Sequence, residues 1–98
     1  MIRYVIRQGC RISSGGIVTE GHSQGPFLGG VPVSFIGAAA ACHACGHTGV
    51  IAADGPRGAL GEGNFNGRTL ALSGDLVLCR CPTPPRVQHD CEDWRVAV

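Results

Sequence analysis

The chain has no lysine. Its eight basic residues are all arginine, scattered from Arg3 to Arg95, and seven acidic residues leave a net charge of +1. Nucleic-acid binding draws on a concentrated basic face that neutralises phosphates, so that class of function is set aside. Aromatic side chains are few: Tyr4, Phe27, Phe35, Phe65 and Trp94. No run approaches the ~20 apolar residues of a membrane-spanning helix. The opening "MIRYVIRQG" carries two arginines in an apolar run too short for the hydrophobic stretch of a signal peptide. The expectation is a protein made in the cytoplasm. No segment has a sustained helical stripe, and there is no G-x-S-x-G elbow, H-E-x-x-H helix or phosphate-binding glycine loop. Ser13 and Ser14 precede Gly15 and Gly16, but no neighbouring base is implied. The chain reads as a non-enzyme.

What the sequence has in excess is glycine, 16 of 98 residues, more than double the usual share of ~7%. Glycine at this density suits short strands joined by tight turns. A chain of this length forms one domain and buries only roughly 60–65% of the surface its unfolded form exposes. A metal, disulfides or a partner chain are the usual supplements to so small a core.

Three segments align on their glycines: "YVIRQGCRISS" (4–14), "PVSFIGAAAAC" (32–42) and "TLALSGDLVLC" (69–79). Each has a short apolar run, then Gly9, Gly37 or Gly74, and five positions later Ser14, Cys42 or Cys79. Val33/Phe35 and Leu70/Leu72 alternate with Ser or Ala at the strand period. "GAAAAC" favours helix by composition but is too short to nucleate one. A second echo relates "GGIVTEG" (15–21) to "TGVIAADG" (48–55), and a third relates the glycine turns of "FLGGVPV" (27–33) and "FNGRTLA" (65–71). Three similar β units converging on one end are expected, as a pseudo-threefold, tapering body.

The six cysteines are at 10, 42, 45, 79, 81 and 91, and in a cytoplasmic product they point to metal before disulfides. Cys42-x-x-Cys45 and Cys79-x-Cys81 form two close pairs on separate turns, the logic of a tetrahedral zinc site. His43 and His47 add imidazoles to the first turn. A fully closed ligand set is expected for a structural ion. Cys10 and Cys91 read as core or surface thiols, and His22 and His89 as solvated turn residues. Asp75 reads as satisfying turn backbone groups, and Arg68, Arg80 and Arg86 as solvated or locally paired.

The order of these motifs resembles the PAAR-repeat family, the small conical tip proteins of bacterial type VI secretion. "GCRISSGG" (9–16) is similar to the family's first loop, "GVPVSFIGAAAAC" (30–42) and "GRTLALSGDLVLCRCP" (67–82) to its two strand-plus-loop repeats, and "CHACGHTG" (42–49) to its Cys/His segment. The resemblance covers about residues 3 to 82. It implies an all-β fold, a small conical pseudo-threefold prism of short strands and tight turns with a metal at the tip. Residues 1–82 then form the PAAR-like domain and 83–98 a short C-terminal extension. It also implies a role: capping the trimeric β-helical spike called VgrG (valine–glycine repeat), with one tip per trimer and a structural zinc at the apex. Such a tip aids envelope penetration with transient contact at a target membrane, can carry an effector, and leaves the cell on the spike. The family's first-loop histidine ligand is Ser14 here, and its CxxH histidine is Cys45. The expected ligands are therefore a thiolate-rich four drawn from Cys42, Cys45, His47, Cys79 and Cys81. His43 is set aside, because a direct neighbour of Cys42 usually points away from it.

The C-terminal segment "PTPPRVQHDCEDWRVAV" (82–98) is too short for a toxin domain and reads as packing on the side of the body or as holding an effector. Two other functions compete. A small zinc-ribbon-like module would call for a basic patch, and a thiol redox enzyme for an exposed C-x-x-C of low pKa.

Overall fold

The computed structural model describes residues 2–23, 26–55, 57, 69–90 and 94–97. The glycine turn expected at 65–68, with Phe65, Arg68 and Cys91, lies outside the described residues. Among the described residues there is no helix and there are eight short strands: β1 (Ile2–Tyr4), β2 (Gly16–Val18), β3 (Phe27–Leu28), β4 (Val31–Pro32), β5 (Ala39–Cys42), β6 (His47–Ala52), β7 (Leu76–Leu78) and β8 (Arg95–Ala97). The fold is all-β, as expected, in a body measuring 32 × 26 × 24 Å.

Three short segments outside the named strands organise the chain. Val5 bridges Leu72, Val33 bridges Arg7, and Leu70 bridges Phe35, all antiparallel. Between these bridges runs a ring of backbone hydrogen bonds. Ile6 N–H donates to the Ala71 carbonyl (2.9 Å), Ala71 N–H to that of Ser34 (3.1 Å), and Ser34 N–H to that of Ile6 (2.8 Å). Two residues on, Gln8 donates to Pro32, Ile36 to Thr69 and Ser73 to Tyr4, a second ring running in the opposite sense. Each segment therefore pairs with both others, which satisfies its buried polar backbone on either side.

The repeat glycines follow at once. Gly9, Gly37 and Gly74 have φ of 91, 96 and 92°, the left-handed region that side chains resist. A Cβ at Gly9 or Gly37 would meet nothing within 4 Å, so backbone conformation, not space, calls for glycine there. Their N–H groups donate to the carbonyls of Val18, Ile51 and Val87. Ile51 in β6 and Val18 in β2 are the counterparts that the echo between 15–21 and 48–55 anticipates. Val87 supplies the third from within the C-terminal segment, and bridges Ile12.

The four-stranded sheet has the order β2-β5-β6-β7, antiparallel throughout. The alanines of "GAAAAC" form β5, because neighbours on both sides supply backbone partners that an isolated run lacks. The glycine turn of "FLGGVPV" forms the β3–β4 hairpin, with Gly29 and Gly30 at φ of 59 and 81°, the two-residue geometry matched to strand twist. β1 pairs with β8.

Packing follows the strand period but covers both faces. Val5, Val33, Leu70, Leu72 and Val96 form one apolar cluster, while Ile6 and Ala71 join a second with Ile12, Val18, Ile51 and Val77. Ser34 sits among these segments fully buried, and its hydroxyl donates to the Glu20 carbonyl (2.9 Å). Val87 and Val96, from the C-terminal segment, lie in the two clusters respectively.

Gly16 marks the tightest approach in the sheet. Its φ is 127°, and a Cβ there would sit 2.0 Å from the Ala41 carbonyl oxygen. Neither strain nor clash can be relieved without parting β2 from β5. Gly16→Ala is expected to cost about 3 kcal/mol or more and to lower the melting temperature by more than ~10 °C. A melt within a few degrees of the parent protein would contradict this account.

Candidate metal centre

Three turns open at one end of the four-stranded sheet, and strand direction is the reason. β5 and β7 both run antiparallel to β6, which lies between them, so their C-terminal ends point the same way. Cys42 is the last residue of β5, and Cys79 and Cys81 follow β7. β2 runs against β5 with Gly16 opposite Cys42, which brings the residues just before β2, including Ser14, to the same end.

The β5–β6 connection supplies Cys45. Gly46 closes that turn with φ of 71° and donates its N–H to the Cys42 carbonyl (3.0 Å). The Sγ atoms of Cys42, Cys45, Cys79 and Cys81 all lie within 4.8 Å of one another. Cys42 is buried and the other three are half-buried. None of the five described cysteines is in a disulfide. Zinc bonded tetrahedrally to sulfur at ~2.3 Å needs sulfurs about 3.8 Å apart. The Cys42–Cys81 separation is 3.5 Å, so the four sulfurs fit one ion after small adjustments.

His47 is not in this group. It opens β6 opposite Cys42 and its side chain is exposed. Strand alternation would put His47 on the side of the buried Gly49 and Ile51, but His47 is the first residue of β6, at the open end of the sheet, and its side chain is left exposed there. His43 is also exposed, with its backbone N–H bonded to the Gly15 carbonyl (2.9 Å).

The thiols divide the protons unequally. Cys42 is lowered to about 6. The Ser14 hydroxyl, with its Oγ 3.2 Å from Cys42 Sγ, is the main cause, and the Cys45 backbone amide adds to it. Cys45 is also lowered; burial opposes the shift, and the backbone amides of His47 and Arg80 outweigh it. Cys81 is pushed up to about 12 by its hydrogen bond to Cys42 and by burial. Cys79 is raised: the Cys81 amide pulls its thiol down, but burial and the bond to Cys42 prevail. Uptake of a metal by all four therefore displaces protons held at Cys79 and Cys81, and affinity rises with pH.

Compared with protein-family models, with curated proteins and with solved structures, the chain has no match. What the centre can do is therefore argued from its own atoms. Four thiols on two turns form a soft cage, anionic once deprotonated and suited to a thiophilic ion.

Cys10 stands apart. It is fully buried and raised to about 11 by that burial, and its Sγ lies 3.3 Å from Asp90 Oδ1. It is a core thiol. His89 stacks on Tyr4 with ring centroids 4.1 Å apart, and His22 meets the edge of Phe35 at 5.9 Å. Arg86 pairs with Asp54 and also donates to the Gly74 carbonyl, the local pairing expected of it.

Asp75 exceeds its expected role. It does accept the Leu72 N–H (2.8 Å) in its own turn, but it is also fully buried between Arg3 and Arg57, at 2.9 and 2.6 Å. The signal was available in the repeat: Asp75 occupies the column of Cys10 and Ala38, both core residues. A carboxylate in a core column has to find cations.

Proposed function

We propose that the chain is the tip of a trimeric secretion spike, a PAAR-like cone that docks by its threefold base and is pinned at its apex by a structural zinc. The carrying observation is the hydrogen-bond ring through Ile6, Ser34 and Ala71, with the same turn geometry repeated after each segment at Gly9, Gly37 and Gly74. A threefold partner offers three equivalent chains, and a body made of three like units can meet all three alike. Strand addition at such a base gives affinity through main-chain hydrogen bonds and covers edges that would otherwise invite aggregation.

The apex chemistry fits a structural part. Four cysteines complete a tetrahedral set and leave no open position for a reacting water. Zinc is the ion this reading assigns, from ligand softness and number. The arginines argue against the nucleic-acid alternative, since Arg3, Arg7, Arg57 and Arg86 are engaged with carboxylates.

The test is stoichiometry. Mixed with a trimeric β-helical spike protein of the same cell, the chain is expected to bind at one copy per three spike chains, read by native mass spectrometry. Binding at one copy per one or two spike chains, or no binding, overturns the proposal.

A further inference from the structure

We propose that Ser14 is a positioning residue for the metal centre: its hydroxyl donates a hydrogen bond to the metal-bound sulfur of Cys42, setting the affinity of the site without ligating the ion. The inference rests on the four cysteines being a metal centre, and is independent of the spike docking.

Ser14 Oγ lies 3.2 Å from Cys42 Sγ, within hydrogen-bond reach of sulfur, and either atom can donate while both carry protons. Once Cys42 ligates a metal it is a thiolate with no proton. Only one direction is then left, from the serine hydroxyl to the sulfur. Four thiolates around a divalent ion carry a net charge of about −2, and a hydroxyl dipole aimed at one of them stabilises that charge in a partly buried place.

The turn that presents Ser14 is held on both sides. Ser13 N–H donates to the Arg86 carbonyl (2.9 Å), and Arg86 N–H returns a bond to the Ser13 hydroxyl (2.9 Å). Gly15 donates to the Ile12 carbonyl (3.1 Å) and accepts from His43 N–H (2.9 Å). Ser14 is thus delivered to Cys42 by backbone fixed to two other turns. In the repeat it is the counterpart of Cys42 and Cys79. The first unit therefore contributes a donor where the other two contribute ligands, and the four-ligand set is completed by Cys45 and Cys81 instead.

The test uses the full chain, Ser14→Ala and Ser14→Thr. Zinc affinity is read by competition with a chromophoric chelator, and ligand identity by the thiolate-to-cobalt charge-transfer band of the Co(II)-loaded protein. Ser14→Ala is expected to bind zinc roughly 10- to 100-fold more weakly, with a four-thiolate cobalt spectrum shifted in energy but not in ligand number. Ser14→Thr, which keeps the hydroxyl, is expected to recover most of the affinity. An unchanged affinity in Ser14→Ala overturns the proposal, and so does a cobalt spectrum in the parent protein that shows an oxygen ligand lost in Ser14→Ala. Failure of the parent protein to bind zinc at all removes the metal centre itself, whereas equal binding by parent and Ser14→Ala removes only the role of Ser14.

Discussion

Cys81→Ser is expected to lower the melting temperature of the zinc-loaded protein by more than ~20 °C, and a chelator is expected to lower that of the parent protein by as much. Structural zinc held by thiolates contributes on the order of 10 kcal/mol to folding at neutral pH. Domains of this size have a total stability of only ~5–15 kcal/mol, and each kcal/mol is worth about 4–8 °C in melting temperature. The core offers little reserve, being built from valine, isoleucine, leucine, alanine and two cysteines, with Phe35 as its one buried aromatic among the described residues. Cys81 is the informative position because it is only half-buried, so its packing contribution is small beside the ligand it supplies. Without metal, then, the variant and the parent protein should melt together. A large difference that persists in chelator would mean that the thiol acts through packing. A parent protein indifferent to chelator would remove the metal from the account of stability.

Much of this arrangement could be read before any coordinates. Gly9, Gly37 and Gly74 announced three equivalent turns because a left-handed residue leaves a visible mark in sequence. Two cysteine pairs at short spacing announced a common site because close ligands on tight turns need little further specification. Other features lay beyond local pattern. The third partner strand, around Val87, sits in a proline-rich stretch whose apolar content is one valine between Arg86 and Gln88. Its place is fixed by bonds to Gly74 and Asp75, which spacing does not reveal. His47 stands among the candidate ligands because it adds an imidazole to the turn that carries Cys42 and Cys45. Which side of a turn a residue faces depends on the register of β5 with β6, and register is set by the sheet as a whole. The pairing of Asp75 with Arg3 and Arg57 joins residues 72 and 18 positions apart. No periodicity carries information over such distances, although the core column at which Asp75 stands already demanded a cation.

That buried carboxylate carries the second large effect. Asp75→Asn is expected to destabilise the protein by about 3–5 kcal/mol, a fall of more than ~12 °C in melting temperature. The substitution keeps the shape and one acceptor oxygen, so the amides of Leu72 and Asp54, which donate to Asp75 at 2.8 and 3.1 Å, retain a partner at most in part. What disappears is the negative charge between two guanidinium groups. Arg3 and Arg57 side chains are 6% and 9% exposed, and water cannot replace the lost partner at that depth. Arg57 is the more tightly bound of the two, reaching both oxygens of Asp75 at 2.7 and 2.6 Å and the Leu70 carbonyl at 2.7 Å. Leu70 belongs to the hydrogen-bonded ring of segments and Arg3 to β1, so the network ties the first and third units together. Salt should not mimic the mutation, since ions screen exposed charges far more than buried ones. Arg57→Met combined with Asp75→Asn removes one of the stranded cations and is expected to recover part of the loss. Denaturant unfolding of the zinc-loaded proteins measures all three. A cost below 1 kcal/mol for Asp75→Asn, or a double variant less stable than the sum of its single changes, would show that the charge is not what holds these turns together.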